Sequence, residues 1–317
     1  FIGSNLAAAL GARSASLAIC DRMDADKAEN LDGVVPDRVF PPEEMADVLA
    51  EQGAALDGVV HLGAISSTTE TDEAKLWRTN VELPQALWRF CAARERPFIY
   101  ASSAATYGDG SRGFDDSLDL AYLRALQPLN PYGRSKHAFD IWSAEQIAGG
   151  APRPPPWAGL KFFNVYGPRE AHKGAQASVA WHLFQQLREA DRVRLFKSHH
   201  PDYPDGGQLR DFVWVGDCVA VIIWLLEHRR VSGLFNVGSG RARSFNDLAA
   251  AVFAALGREP RIDYVPTPRA IRQRYQYFTE AKMERLREIG YFRPFTGLEE
   301  GIARYIRDHL LQDDSTQ

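Results

Sequence analysis

The chain has 317 residues, 45% of them hydrophobic and 25% charged, the proportions of a folded globular protein and not of a disordered one. A formal net charge of −4 and an isoelectric point near 6.1 leave no cationic excess for a nucleic acid or an anionic membrane surface. No apolar run approaches the ~20 residues of a membrane span. Cys20, Cys91 and Cys218 are too scattered for a zinc site or a disulfide frame, so a soluble protein of a reducing cytoplasm is expected.

Phe1-Ile2-Gly3-Ser4-Asn5-Leu6 reads as the beginning of a helix. Gly3 takes the place of the last glycine in a turn that joins a first strand to a helix whose N-terminus faces a dinucleotide pyrophosphate. Such folds set that strand and the earlier glycines before this point, so the full gene product is expected to carry roughly ten further residues ahead of Phe1. The next strand, Leu17 to Cys20, ends in Asp21-Arg22, where these folds read the adenine ribose. An acid there suits a 2′-hydroxyl and an adjacent cation a 2′-phosphate, so Arg22 with Lys27 leans towards NADP. The alternative is a solvated charged turn.

Pro42 to Gln52 reads as a helix with Glu43 and Glu44 in its first turn, Gly58 to Leu62 as a strand, and Asp72 to Arg94 as a helix that Pro84 kinks or breaks. The strand Phe98 to Ala101 leads into Ser102-Ser103. Pro131 to Ala148 is a helix, Gly149 to Pro156 a stiff surface loop, and Trp157 to Phe163 a strand. Loops lengthen beyond Asn164. A strand and helix return over Phe212 to Glu227, then a strand over Leu234 to Val237. Strand–helix alternation predicts an α/β fold, a doubly wound parallel sheet of Rossmann type with a smaller α/β substrate lobe. Residues 1–165 and 211–237 are assigned to the cofactor domain, and 166–210 and 238–317 to the substrate lobe.

Tyr132 and Lys136, four apart, share one face of a helix. A nearby ammonium favours the phenolate and brings a tyrosine towards the working range of a base. The spacing alone is unspecific. Ser103, at the carboxyl end of a sheet strand where ligands bind, is expected to hydrogen-bond the same substrate hydroxyl.

With these features the chain resembles the extended short-chain dehydrogenases/reductases of the NAD-dependent epimerase/dehydratase family, and within them the ADP-heptose 6-epimerases of lipopolysaccharide core synthesis. The resemblance runs almost from end to end. It is carried by His61-Leu62-Gly63-Ala64-Ile65-Ser66-Ser67-Thr68-Thr69-Glu70, by Tyr100-Ala101-Ser102-Ser103-Ala104-Ala105-Thr106-Tyr107-Gly108, and by Phe163-Asn164-Val165-Tyr166-Gly167-Pro168-Arg169-Glu170-Ala171-His172-Lys173-Gly174. Leu209-Arg210-Asp211-Phe212 and Arg274-Tyr275-Gln276 match as well.

The resemblance implies NADP as cofactor, with contacts at Phe1, Ile2, Gly3, Asp21, Arg22, Lys27, Leu62, Gly63, Ala64, Ile65, Ser66, Asn80, Lys136, Val165 and Lys173. It implies substrate contacts at Ser103, Asn164, His182, Phe196, Arg210 and Tyr275, with Tyr132 and Lys173 as the two catalytic residues. The implied reaction oxidises C6 of an ADP-heptose to a ketone and returns hydride to the other face. A homo-oligomer, in the family often a pentamer, is implied too. Arg22 stands where better-known members carry asparagine, Ala175 where a serine contacts substrate, and the loop His199 to Gly207 is longer than usual.

Two other readings stay open. One is another nucleotide-sugar epimerase or a 4,6-dehydratase, although a dehydratase needs an acid–base pair where this chain has Ala104-Ala105. The other is a non-enzymatic cofactor-binding scaffold, which has no need of Tyr132 and Lys136. His172, His199 and His200 lack carboxylates at ligand spacing, so solvated loop residues and no metal are expected. Trp77, Trp88 and Trp181 read as core residues. Arg210 beside Asp211 is either a surface ion pair or a planar donor to a diphosphate.

Overall fold

In a computed structural model the protein is described over residues 1–67, 70–272 and 275–313, without the side chains of Ala270, Ile271 and Asp313. Thr68, Thr69 and Arg274, which the matched motifs include, lie outside the described residues. In chain order the elements begin with α1 (Ile2–Gly11), β1 (Ala18–Cys20), α2 (Ala25–Glu29), β2 (Arg38–Phe40), α3 (Met45–Gln52) and β3 (Val59–His61). They continue with α4 (Glu73–Trp77), α5 (Leu83–Ala93), β4 (Phe98–Ser103), α6 (Leu120–Ala125), α7 (Pro131–Ala148), β5 (Trp157–Phe162) and β6 (Asn164–Tyr166). The remainder is α8 (Val179–Glu189), β7 (Val193–Phe196), β8 (Leu209–Trp214), α9 (Val215–Glu227), β9 (Gly233–Val237), β10 (Ala242–Ser244), α10 (Phe245–Ala255), β11 (Ile262–Val265), α11 (Arg269–Arg272), α12 (Glu284–Glu288) and α13 (Leu298–Tyr305).

The first layer consists of two parallel groups, β1–β2 and β3–β4–β5–β9. Helices cover them, which gives the Rossmann-like α/β fold. β5 and β9 are buried along their whole length, as parallel strands covered on both faces must be. A mixed sheet, β10–β8–β6, and a parallel pair, β11–β7, build the second layer.

Two apolar cores result. One gathers Trp88, Phe98, Tyr100, Phe139, Trp157, Leu160 and Phe235. The other gathers Leu183, Phe184, Leu195, Val252, Phe253, Ile302 and Tyr305. The chain crosses between them more often than the three boundaries at 165/166, 210/211 and 237/238 allow. Phe212 and Trp214 of β8 pack into the second core, while Met283, Leu286 and Tyr291 around α12 return to the first. Among the described residues no helix is long and apolar enough to cross a membrane.

Pro84 marks a break, as expected: the α-helical pattern gives way to a π-helical turn, Arg78–Glu82, directly before Leu83-Pro84 opens α5. Two local expectations need correction. The loop before β5 is not wholly at the surface, because Pro154 and Pro156 are buried. Trp88 is a core residue, but Trp77 is 49% exposed.

Candidate active site

α7 starts beneath the carboxyl end of β4. Asn130 caps it by accepting from Gly133 N at 2.7 Å, and Pro131 fills the first position, where no amide donor is needed. This start sets Tyr132 beside Ser103, whose own Oγ accepts from Ala105 N at 3.1 Å. Ser103 stands close enough to the Tyr132 hydroxyl to favour its phenolate. One turn on, Lys136 is only 4% exposed, yet no hydrogen-bond acceptor among the described residues meets its Nζ.

Burial pushes Tyr132 above the ordinary tyrosine range, Ser103 opposes this, and the charge of Asp140 adds to it. Lys136 is not among the groups that shift Tyr132, so the lowering expected from it is not seen here. Burial also brings Lys136 down to about 8, against the pull of Asp140.

β3 ends at His61, and Leu62 to Ser66 leads out of the sheet. Asn80 is 0% exposed and hydrogen-bonded within the protein. Its Oδ1 accepts from Ile65 N, and its Nδ2 donates to Ile65 O and to Ser135 Oγ, each at 3.0 Å. Asn80 thus ties the loop after β3 to α7, and the π turn is what carries it there. His61 lies near Lys136, and burial first, then that ammonium, lowers it to about 3, so it is neutral.

Gly3 lies inside the first turn of α1 and not in a turn before it. Asn5 Nδ2 holds the Pro168 carbonyl at 2.9 Å. Arg169, with φ of +68°, turns its guanidinium onto the carbonyls of Asn30 and Asp32, and His172 Nδ1 meets Asn30 Nδ2 at 2.8 Å. Buried Glu170 accepts from Ser178 N and Oγ, both at 2.7 Å, and from Tyr305 OH at 2.9 Å. The loop 167–173 is thereby clamped to α1, α2, α8 and α13. Lys173 Nζ consequently lies 5.2 Å from the Phe1 ring centroid, and burial lowers it against the pull of Glu170. Among the described residues no hydrogen bond or charge interaction joins Lys173 to Tyr132, Ser103 or Lys136. After β1, Lys27 Nζ contacts Asp21 Oδ1 at 3.2 Å and the Arg22 carbonyl at 2.9 Å, while Arg22 pairs with Glu43.

This donor set fits a nicotinamide dinucleotide. The N-terminus of α1 has no side-chain cap, and a Cβ placed on Gly3 or Gly63 meets no atom within 4 Å. Lys136 offers a buried cation beside the loop after β3.

Arg210 lies on β8. It is 8% exposed, lies between the rings of Tyr275 (5.3 Å) and Phe245 (5.7 Å), and donates to the carbonyls of Leu209 and Gln276. The surface-pair reading fails: Asp211 is buried and accepts instead from Ser239 N, Ser239 Oγ, Gly240 N and Ala281 N. His200 and Tyr203 of the long loop form an aromatic group with Tyr277, which in turn contacts Tyr275. Phe196 is exposed at the end of β7, Asn164 is exposed at the start of β6, and His182 packs edge-on against Trp181. Val165 is half-buried against the first core.

Motif reading passed over two residues, Asp140 and Lys161. The signal was present: a lysine inside the apolar run Trp157 to Phe163, and an acid one turn beyond Lys136.

These features define a dinucleotide-binding α/β protein with the Ser–Tyr–Lys constellation of a short-chain dehydrogenase/reductase. The chain belongs to the NAD dependent epimerase/dehydratase family, whose profile matches residues 1–238. It is 49% identical over 259 residues to the ADP-L-glycero-D-manno-heptose-6-epimerase of Nitratidesulfovibrio vulgaris, covering 82% of this chain and 78% of that protein. It is 42% identical to the enzyme of the same name from Thiobacillus denitrificans, over 98% of this chain and 96% of that one. Among known structures, ADP-L-glycero-D-manno-heptose-6-epimerase of Helicobacter pylori superposes with a TM-score of 0.77 at 26% identity, over 97% of this chain and 92% of that one. UDP-glucose 4-epimerase of Thermus thermophilus in complex with NAD gives 0.76 at 26% identity, over 98% and 96%.

Proposed function

We propose that this chain inverts C6 of the heptose in ADP-D-glycero-D-manno-heptose, giving ADP-L-glycero-D-manno-heptose for lipopolysaccharide core synthesis. The Tyr132–Ser103 contact above a buried Lys136 carries the reading, because it supplies a proton-transfer group for a sugar hydroxyl. Ala104-Ala105 leaves no acid–base pair for expelling water, which favours an epimerase over a dehydratase. The relatives named above supply the substrate.

A bound nicotinamide cofactor would supply the hydride chemistry at C6. Tyr132 exchanges the proton of the C6 oxygen, Ser103 orients that oxygen, and Lys136 supports the phenolate. The cofactor is NADP, held at Asp21, Arg22 and Lys27, along Leu62 to Ser66, and at the N-terminus of α1. Arg210 and Tyr275 receive the ADP moiety, with Phe196, His182 and Asn164 beside it. Inversion presents the carbon in two orientations, and one tyrosine cannot sit beside both oxygen positions. Lys173, lowered by burial, serves the second. The enzyme acts in the cytoplasm as a homo-oligomer, a state that light scattering reads directly.

The test is turnover of ADP-D-glycero-D-manno-heptose followed by NMR at C6, with Tyr132→Phe and Lys173→Met beside the wild type. Inversion by the wild type is expected, together with a loss of about 10²-fold or more in kcat for each variant. A wild type that inverts C4 of a UDP-sugar and leaves ADP-heptose untouched refutes the substrate. A Lys173→Met enzyme with raised KM and full kcat makes Lys173 a binding residue.

A further inference from the structure

Two charges are sealed inside the first core. Lys161 on the central strand β5 and Asp140 on α7 both have 0% side-chain exposure, and Nζ meets Oδ2 at 2.6 Å. Their hydrogen-bonding capacity is used. Asp140 Oδ2 also accepts from Ser102 Oγ at 2.7 Å, and Oδ1 accepts from Tyr100 OH at 3.1 Å. Lys161 Nζ also donates to Thr106 Oγ1 at 2.8 Å and lies 4.9 Å from the Tyr107 ring centroid.

A buried ion pair is weak evidence for stability, since replacing both partners by apolar groups is often neutral or better. What the pair touches points elsewhere. Thr106 Oγ1 in turn donates to the Ser103 carbonyl at 2.8 Å, and Ser103 is the residue that lies beside the Tyr132 hydroxyl. Asp140 stands on α7, the helix that carries Tyr132 and Lys136. The pair therefore sits at the junction of the serine strand and the tyrosine helix. Tyr100, Tyr107, Tyr132, Lys136 and His137 are the titratable groups that feel Asp140 from β4, the turn after it and α7.

We infer that Asp140 and Lys161 are positioning residues, which fix the seat of α7 on β4 and β5 and so hold the Tyr132 hydroxyl against Ser103. The inference rests on the epimerase reading above. In a low-dielectric core a fully satisfied charged network tolerates little displacement, because every shifted partner leaves a buried charge underpaired. An apolar contact of the same area permits sliding.

Two variants test this. Asp140→Asn with Lys161→Met removes both charges together, and Thr106→Val cuts the link to Ser103 while leaving the pair intact. Both are expected to fold and to keep the nucleotide-sugar KM within about twofold, while kcat falls, by about 10²-fold in the double variant. The deciding readout needs neither cofactor nor substrate. It is the carbon-13 ζ resonance of Tyr132 at neutral pH in protein stripped of cofactor, identified by its loss in Tyr132→Phe. Movement of Ser103 away from the Tyr132 hydroxyl shifts this resonance in both variants. An unmoved resonance in the folded double variant overturns the proposal, and if the double variant does not fold, Thr106→Val decides in the same way. A wild type inactive on ADP-heptose sinks the functional reading and leaves this resonance test standing.

Discussion

Lys136 and Tyr132 are both shifted by burial towards their uncharged forms, Lys136 to about 8 and Tyr132 above its usual range. For a lysine lowered from 10.5 to about 8, the ammonium is lost as pH rises through 8. The charge that supports a phenolate then goes with it. We expect kcat/KM to fall above about pH 8, and Lys136→Met to lack that limb while losing about 10²-fold or more in kcat. A wild-type profile that climbs unbroken to pH 9.5 contradicts this. Cofactor choice is a second matter of single residues. Arg22 and Lys27 are engaged in exposed pairs with Glu43 and Asp21. Such pairs are worth about 0–1 kcal/mol, so a phosphate displaces them easily. Replacing both by alanine is expected to raise the Kd for NADP about tenfold or more, about 1.4 kcal/mol, and to leave NAD within about twofold. Titration calorimetry with the two cofactors decides, and equal losses show that neither side chain reads the 2′-phosphate.

α7 shows how an element is tuned to the site. Gly133 lies against the turn after β4, where an added Cβ meets Ala105 O at 2.8 Å and Pro128 Cβ at 3.1 Å. Alanine in a helix gains about 1 kcal/mol over glycine, whereas overpacking against fixed atoms costs about 1–3 kcal/mol. The nearest atom is backbone, so overpacking wins. Gly133→Ala is expected to lower Tm by a few degrees and kcat by about tenfold or more, through the Tyr132–Ser103 contact. An unchanged kcat shows that α7 has slack. The bounds of α7 were legible in the sequence because Asn130-Pro131 and Gly149 are strong local signals. The central strands were legible for a like reason, their apolar runs being bounded by turn residues. The role of Asn80 was not legible, since it depends on a π turn that no periodicity announces. Lys161 was hidden because its partner, Asp140, is 21 residues away and meets it only after the helix docks. The second layer was read poorly throughout: β7, β10 and β11 are three or four residues long and have no pattern of their own.

The whole molecule is held together where its two cores interleave, and one buried junction shows the electrostatic cost. Asn236 on β9 accepts from Tyr107 OH at 2.6 Å and donates through Nδ2 to the carbonyls of Phe114 and Lys282. Its backbone N–H donates to Asp116 Oδ2 at 2.8 Å, and Arg285 Nε stands 3.7 Å from Asp116 Oδ1. Three distant stretches of chain, 107–116, 236 and 282–285, are tied at this point, and the last of them brings the chain back from the second layer. Asp116 is buried, with Asp115 adding repulsion, and desolvation outweighs both the hydrogen bond and Arg285, so its carboxyl rises from 3.8 to about 6. The sign follows from linkage. Between these values the folded state holds a proton that the unfolded state has released, so stability is lost as pH rises from about 4 to 6. At 1.36 kcal/mol per unit, the ionised carboxylate costs about 3 kcal/mol at neutral pH. Asparagine keeps the shape and an acceptor for Asn236 N without the charge. Asp116→Asn is therefore expected to match the wild type near pH 4 and to exceed its unfolding free energy by about 3 kcal/mol at pH 7.5. Urea unfolding of both proteins at the two pH values measures this, and a difference that does not change between them shows that Asp116 is ionised in the fold without penalty.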